Sequence, residues 1–163
     1  REFVATRMLR HELFGFQHIH YDEVGAPYIE DEGFISISHT KNRVGIALCK
    51  DFKVGLDLEG IQAKIDNIKH KFLSEDEKEQ LDCNSSIELT KVWSGKECLY
   101  KMAGRKGIDF RTELHLEKRT ENEWEGKIIN PNEILITDLN IFELDNSIVS
   151  INTKPCESRS KNL

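Results

Sequence analysis

Two stretches of alternating apolar and polar residues, at 34–58 and 113–152, bracket a long helical pattern, and that order leaves few folds open to the chain. In the first stretch Phe34–His39, Val44–Cys49 and Lys53–Leu58 read as strands. The turn-like Lys41-Asn42-Arg43 and Lys50-Asp51 join them, which predicts an antiparallel meander. In the second stretch Glu113–Leu116, Trp124–Ile129, Ile134–Leu139 or a little beyond, and Ser147–Asn152 read the same way. Between them, Ile61, Ile65, Ile68, Phe72 and Leu73 fall at helical intervals, and Ser74 with Glu77 three residues on is a capping box that starts a fresh helix. Ser85–Met102 is the clearest helix, closed by Gly104 and Gly107.

The flanks are simpler. Residues 1–14 place Phe3, Val4, Met8, Leu9 and Leu13 near helical spacing with arginines between, an amphipathic helix ended by Gly15. Residues 16–33 read as loop, with a strand near Tyr28 and Ile29, and the polar tail CESRSKNL is expected to fray. The chain begins in helical rhythm at Arg1 without an initiator methionine, so a truncated N-terminus is expected. Strands, helices and strands in this order predict an α+β fold. A single domain over 1–163 is expected, with a first half of about 1–60 and a second of about 61–155.

Composition narrows the function classes. Charged residues make up 32% and hydrophobic ones 38%, as in ordinary soluble proteins. No stretch approaches the roughly 18 to 20 apolar residues of a membrane helix, and no secretory signal is visible, so no membrane partner and a cytoplasmic location are expected. The formal net charge of −6 argues against general nucleic-acid binding but leaves room for a local basic pocket. Cys49, Cys83, Cys98 and Cys156 have no CxxC spacing and read as free thiols.

The chemistry concentrates in ISISHT at 35–40, VGLDLE at 54–59 and WSGKECLYK at 93–101. Asp57 and Glu59 lie two apart in a strand-like run, so both side chains share one face. Like charges side by side raise each other's pKa unless a cation sits between them, and a hard divalent ion with oxygen ligands suits the pair. Gly55 and Gly60 flank it. The plainer reading is a solvated strand end. Glu97 and Lys101 stand one helical turn apart, which by itself describes a surface ion pair, but Trp93, Leu99 and Tyr100 adjoin them. The functional reading makes Glu97 a third metal ligand or a base, with Lys96 and Lys101 neutralising phosphate oxygens. His39 is either structural or, beside Ser38 and Thr40, part of a phosphate-contacting group.

Taken together, these segments resemble the 4'-phosphopantetheinyl transferase superfamily, particularly its monomeric type that activates peptide synthetases. The resemblance runs from about Arg1 to Glu117. It rests on five motifs in order: Gly25 to Pro27, Ile37 to Thr40, Gly55 to Glu59, Phe72 to Glu77 and Trp93 to Lys101. It implies two similar α/β halves about a pseudo-twofold axis, each with a small antiparallel sheet and a packed helix, and coenzyme A in the cleft between them. It implies transfer of the phosphopantetheine arm of coenzyme A to a serine of an acyl or peptidyl carrier protein, releasing 3',5'-adenosine bisphosphate. Carried over by position, Asp57, Glu59 and Glu97 match ligands of Mg²⁺, with Mn²⁺ as a substitute. Glu97 also matches the base, and Lys101 the lysine beside the leaving phosphate. Lys96 matches a further phosphate contact, and Ser38, His39 and Arg7 match contacts to the 3'-phosphate. Ala26 departs from the lysine common at that position. A degenerate module that binds coenzyme A or a partner without turnover is the alternative. An acidic chain must meet an acidic carrier through a local patch, for which Lys101, Arg105, Lys106 and Arg111 are the candidates.

Overall fold

In the computed structural model, which describes residues 2–15, 18–30 and 33–161, strands β1 (His20–Tyr21), β2 (Pro27–Ile29), β3 (Gly33–His39) and β4 (Val44–Cys49) form one antiparallel sheet in that order. The Asp22 carboxylate fixes the β1–β2 turn by accepting from the backbone N–H of Val24 (3.0 Å) and Ala26 (2.8 Å). Helix α1 (Glu2–Phe14) packs on β4. Ile35 of β3 forms a small core with Ile19 and Ile29, against which Phe14, Ile37 and Ile46 pack. Arg1, from which the truncation was expected, and positions 16, 17, 31, 32, 162 and 163 lie outside the described residues.

The third strand of the expected meander goes elsewhere. Strand β5 (Leu56–Gly60) pairs with β9 (Ser147–Asn152) at the edge of a second antiparallel sheet, whose order is β5, β9, β8 (Glu133–Leu144), β7 (Glu123–Ile129), β6 (Leu114–Lys118). The alternation of ISIS gives the reason. It points Ser36 and Ser38 to the face opposite Ile35 and Ile37. There the serine hydroxyls accept from Leu56 N (2.9 Å) and Leu58 N (3.0 Å), so β5 meets β3 through side chains in place of a backbone ladder. Asn152 locks the entry to β5 by accepting from Gly55 N (2.8 Å) and donating to the Lys53 carbonyl (3.2 Å). The strand assigned to the first half by the 1–60 boundary therefore belongs to the second sheet. Leu56 and Leu58 turn toward the first sheet, where a Cβ on Gly45 would stand 2.8 Å from a Leu58 methyl.

The central region is one turn of order after another. A 3-10 helix, Ala63–Lys71, stands where helical periodicity began. Then α2 (Glu75–Gln80) starts on the predicted capping box, Ser74 accepting from Glu77 N and Glu77 from Ser74 N. Helix α3 (Ser86–Ala103) begins at the Ser85 cap and ends on left-handed Gly104, within a residue or so of the expected bounds. Leu89, Val92, Leu99 and Met102 of α3 join Leu116, Trp124, Ile128, Leu139, Ile141 and Ile148 of the sheet in the main core. Gly95 lets the helix approach, since a Cβ there would fall 2.7 Å from Ile141 Cδ1. The tail does not fray throughout: β10 (Glu157–Ser160) pairs with the first part of β8. The fold is α+β, with two antiparallel sheets of four and six strands among the described residues. Among the described residues no helix is long and apolar enough to cross a membrane, and the four cysteines are free.

A buried ion pair joins these parts. Lys96 Nζ is fully enclosed and donates to Glu77 (2.8 Å) and to the carbonyls of Phe72 (2.5 Å) and Phe110 (2.8 Å). Glu77, 1% exposed, also accepts from Leu116 N (2.9 Å), so α2, α3 and β6 are tied at one point. Removing one partner leaves an uncompensated buried charge, which costs roughly 3–5 kcal/mol. Lys96→Met should lower unfolding stability by about that amount in urea titrations, and adding Glu77→Gln should recover part of the loss.

Candidate active site

Strand β5 and helix α3 bring together four of the residues singled out in the sequence. Asp57, 4% exposed, accepts at Oδ1 from Lys101 Nζ (2.9 Å) and from Ser38 Oγ (3.1 Å). Lys101 also donates to the Leu56 carbonyl at 2.7 Å. Glu59 Oε1 accepts from Trp93 Nε1 at 2.9 Å, and Trp93 is itself held by a stacked Phe110 and an edge-on Phe72, each at 5.3 Å. Glu97 lies on the same helix one turn after Trp93 and one turn before Lys101.

The carboxylates share an electrostatic environment. Burial first, and then the negative charge of Asp57, hold the Glu97 carboxyl up at about 7; Glu59 adds to the rise and Lys101 opposes it. Glu59 is also raised, by burial and then by Asp57, with the Trp93 hydrogen bond working against it. Asp57 Oδ2 is buried and has no hydrogen-bond partner among the described residues. An unpaired carboxylate oxygen beside two other carboxyl groups is the donor chemistry that a hard divalent cation satisfies, and in charge and donor type the three residues fit one. They do not already stand as a closed cage: among the described residues no three His, Cys, Asp or Glu side chains are gathered closely enough to hold a metal ion.

Beside this cluster lies a cleft of about 810 Å³. Its walls come from α1, the β1–β2 turn, β3, the segment leading into β5 and the end of α3. Among the described residues, Arg7, Arg10, His39, Lys53, Lys101, Arg105 and Lys106 line it, against one acidic residue, Asp22. A chain with a net charge of −6 thus concentrates cations in one concavity. Lys101 belongs to both places, lining the cleft while its ammonium rests on Asp57.

Of the residues expected at phosphate groups, Arg7 and His39 reach the cleft wall, but two others do not. Lys96 is enclosed in the core with three protein acceptors, so no surface is left through which a phosphate could reach its ammonium. Burial pushes its pKa down and Glu77 pushes it back up. Ser38 is buried between β3 and β5, its hydroxyl engaged by Leu58 N and Asp57. In the basic patch expected at the α3 exit, two residues have partners within the chain. Arg105 is clamped to Glu113 (2.7 Å), Asn130 (2.9 Å) and the Ile129 carbonyl (3.1 Å), and Arg111 pairs with Glu75 at 3.0 Å. Sequence reading missed Arg10 and Lys53. The only signal for Lys53 was its place four residues before Asp57, and Gly104, where a Cβ would come 3.2 Å from Lys53 Nζ, leaves it room.

The model of the 4'-phosphopantetheinyl transferase superfamily matches residues 53–142, more than half of the chain, and the chain belongs to that superfamily. The matched region contains Asp57, Glu59, Glu97 and Lys101, while Arg7, Ser38 and His39 precede it. No curated protein matches the chain.

The raised carboxyl gives a pH signature. Folded Glu97 keeps its proton to about 7 and unfolded Glu97 only to its ordinary value of 4.5, so between them the folded state binds more protons. Its contribution to stability is therefore present below the lower value and lost as pH rises through the upper one. In metal-free protein with chelator, the Tm of Glu97→Gln should exceed that of wild type at pH 8, and the gap should close toward pH 4.5, as measured by calorimetry across that range.

Proposed function

We propose that this chain transfers the 4'-phosphopantetheine arm of coenzyme A to a serine hydroxyl of an acyl or peptidyl carrier protein, releasing 3',5'-adenosine bisphosphate. The observation that carries the reading is Lys101, one side chain shared by a buried carboxylate cluster and a cationic cleft, in a chain of this superfamily. Coenzyme A bears a diphosphate and a 3'-phosphate, and the cleft supplies arginines and lysines suited to both.

Glu97 is the base. Its carboxylate accepts the proton of the carrier serine, directly or through water. The serine oxygen forms a bond to the phosphorus that carries the pantetheine arm, and the bond from that phosphorus to the bridging oxygen of the nucleotide breaks. Lys101, shared by the cluster and the cleft, stabilises the negative charge that grows on the departing phosphate and supplies a proton. Mg²⁺ or Mn²⁺, held by Asp57, Glu59 and Glu97, would supply positive charge to the diphosphate oxygens. Arg7, Arg10, His39 and Lys53 orient the nucleotide.

Purified protein incubated with apo-carrier, coenzyme A and Mg²⁺ should add the mass of the phosphopantetheine arm to the carrier. No mass gain across several carriers overturns the reading. Asp57→Ala should remove the metal-dependent activity while the chain stays folded. Lys101→Ala should lower kcat more than it raises the KM for coenzyme A, because the charge it meets develops in the transition state. Lys53→Ala should do the reverse, raising that KM roughly tenfold with little change in kcat, as loss of one charge-assisted phosphate contact requires.

A further inference from the structure

We infer that Ser38 is a positioning residue for Asp57, setting the carboxylate in the orientation that receives the cation, and is not a contact to the nucleotide. The inference rests on the reading of Asp57 as a cation ligand.

A serine hydroxyl has one proton and two lone pairs. In Ser38 a lone pair takes the Leu58 N–H at 3.0 Å, which anchors the oxygen to the backbone of the strand that carries Asp57. The proton is then directed to Asp57 Oδ1, 3.1 Å away. Ser36, two residues earlier on the same strand face, makes the equivalent backbone contact with Leu56 N at 2.9 Å but has no carboxylate on its other side. The two serines thus share the task of joining β3 to β5; Ser36 also lines the cleft, and of the two only Ser38 bonds to Asp57.

Asp57 Oδ1 is held from two directions, by Ser38 from β3 and by Lys101 from α3, and Oδ2 is left without a protein donor. These two donors have different freedoms. Lys101 is a long side chain that also lines the cleft and must serve a phosphate there. Ser38 is 7% exposed, sits outside the cleft lining and has one bond to its hydroxyl. When Lys101 turns to the substrate, Ser38 is the donor that keeps Oδ1 in place, so that Oδ2 continues to face outward from the hydrogen-bonded side. Partners of this kind, one step removed from a metal, typically change its affinity by roughly 10- to 100-fold.

The test is to titrate wild type, Ser38→Ala and Ser36→Ala with Mn²⁺, reading free ion by electron paramagnetic resonance. Calorimetry in chelator then gives the affinities of the same proteins for coenzyme A and for dephospho-coenzyme A. Each variant loses one hydroxyl that accepts from a backbone N–H of β5, so both should lose Tm to a similar extent. Ser38→Ala alone should bind Mn²⁺ roughly 10- to 100-fold more weakly. The preference of all three proteins for coenzyme A over its 3'-dephospho form should be equal. Undiminished Mn²⁺ binding in Ser38→Ala overturns the inference while leaving the catalytic reading in place. So does an equal loss in Ser36→Ala, or a lost preference for the 3'-phosphate in Ser38→Ala. Failure of wild type itself to bind Mn²⁺ overturns the reading of Asp57 as a ligand and the inference with it.

Discussion

A strand at the edge of a sheet exposes a row of backbone groups that must find partners, and in β5 the way this is met determines the rest of the molecule. One edge pairs with β9; on the other, Leu56 and Leu58 donate to the hydroxyls of Ser36 and Ser38. With both edges engaged, the strand cannot rotate about its axis. Leu56 and Leu58 are therefore committed to the first sheet, and Asp57 and Glu59 to the side where α3 lies. The apolar contact that joins the two sheets and the acidic group that α3 covers are two faces of the same five residues. A slip of one residue would turn leucines into the site and carboxylates into the sheet interface.

Helix α3 makes a similar separation with two lysines. Lys96 and Lys101 are five positions apart, or about 140° around the helix axis. One faces the core and is absorbed by Glu77 and two carbonyls; the other faces β5 and rests on Asp57. The first ties the helix to α2 and, through Glu77, to β6. The second is the cation that partly balances three carboxyl groups, and it is effective because the helix bearing it is fixed elsewhere.

Local rules carried much of this into view. Period two put Asp57 and Glu59 on one face, one helical turn linked Glu97 to Lys101, and the capping box at Ser74 and the left-handed Gly104 fell where composition placed them. What escaped was set by distant sequence. Nothing in residues 53–60 says that their partner is 147–152, because a ladder is defined by both strands. Glu77 stands in an acidic run beside Glu75 and Asp76, which are exposed, and nothing in the local pattern marks it for burial. Its burial follows from the arrival of Lys96 and Leu116 N from 19 and 39 residues away. Lys96 was misplaced for the same reason, since charged residues are seldom enclosed and pairing inside a core leaves no mark in the local pattern. The tail gained a strand because β8 is long enough to take β9 and β10 along one edge.

The pairing of β5 with β9 also governs the order in which the protein can come into being. A chain leaving the ribosome presents Asp57 and Glu59 well before the strand that completes their sheet, which ends at Asn152. The intervening residues form a large loop that must close before the edge is satisfied, and non-local pairing of this kind slows folding. Through that interval β5 keeps one backbone edge unpaired, the sort of edge by which nascent chains associate wrongly. Synthesis short of Asn152 therefore yields no partial site: the carboxylates, the helix above them and the closing strand are acquired together.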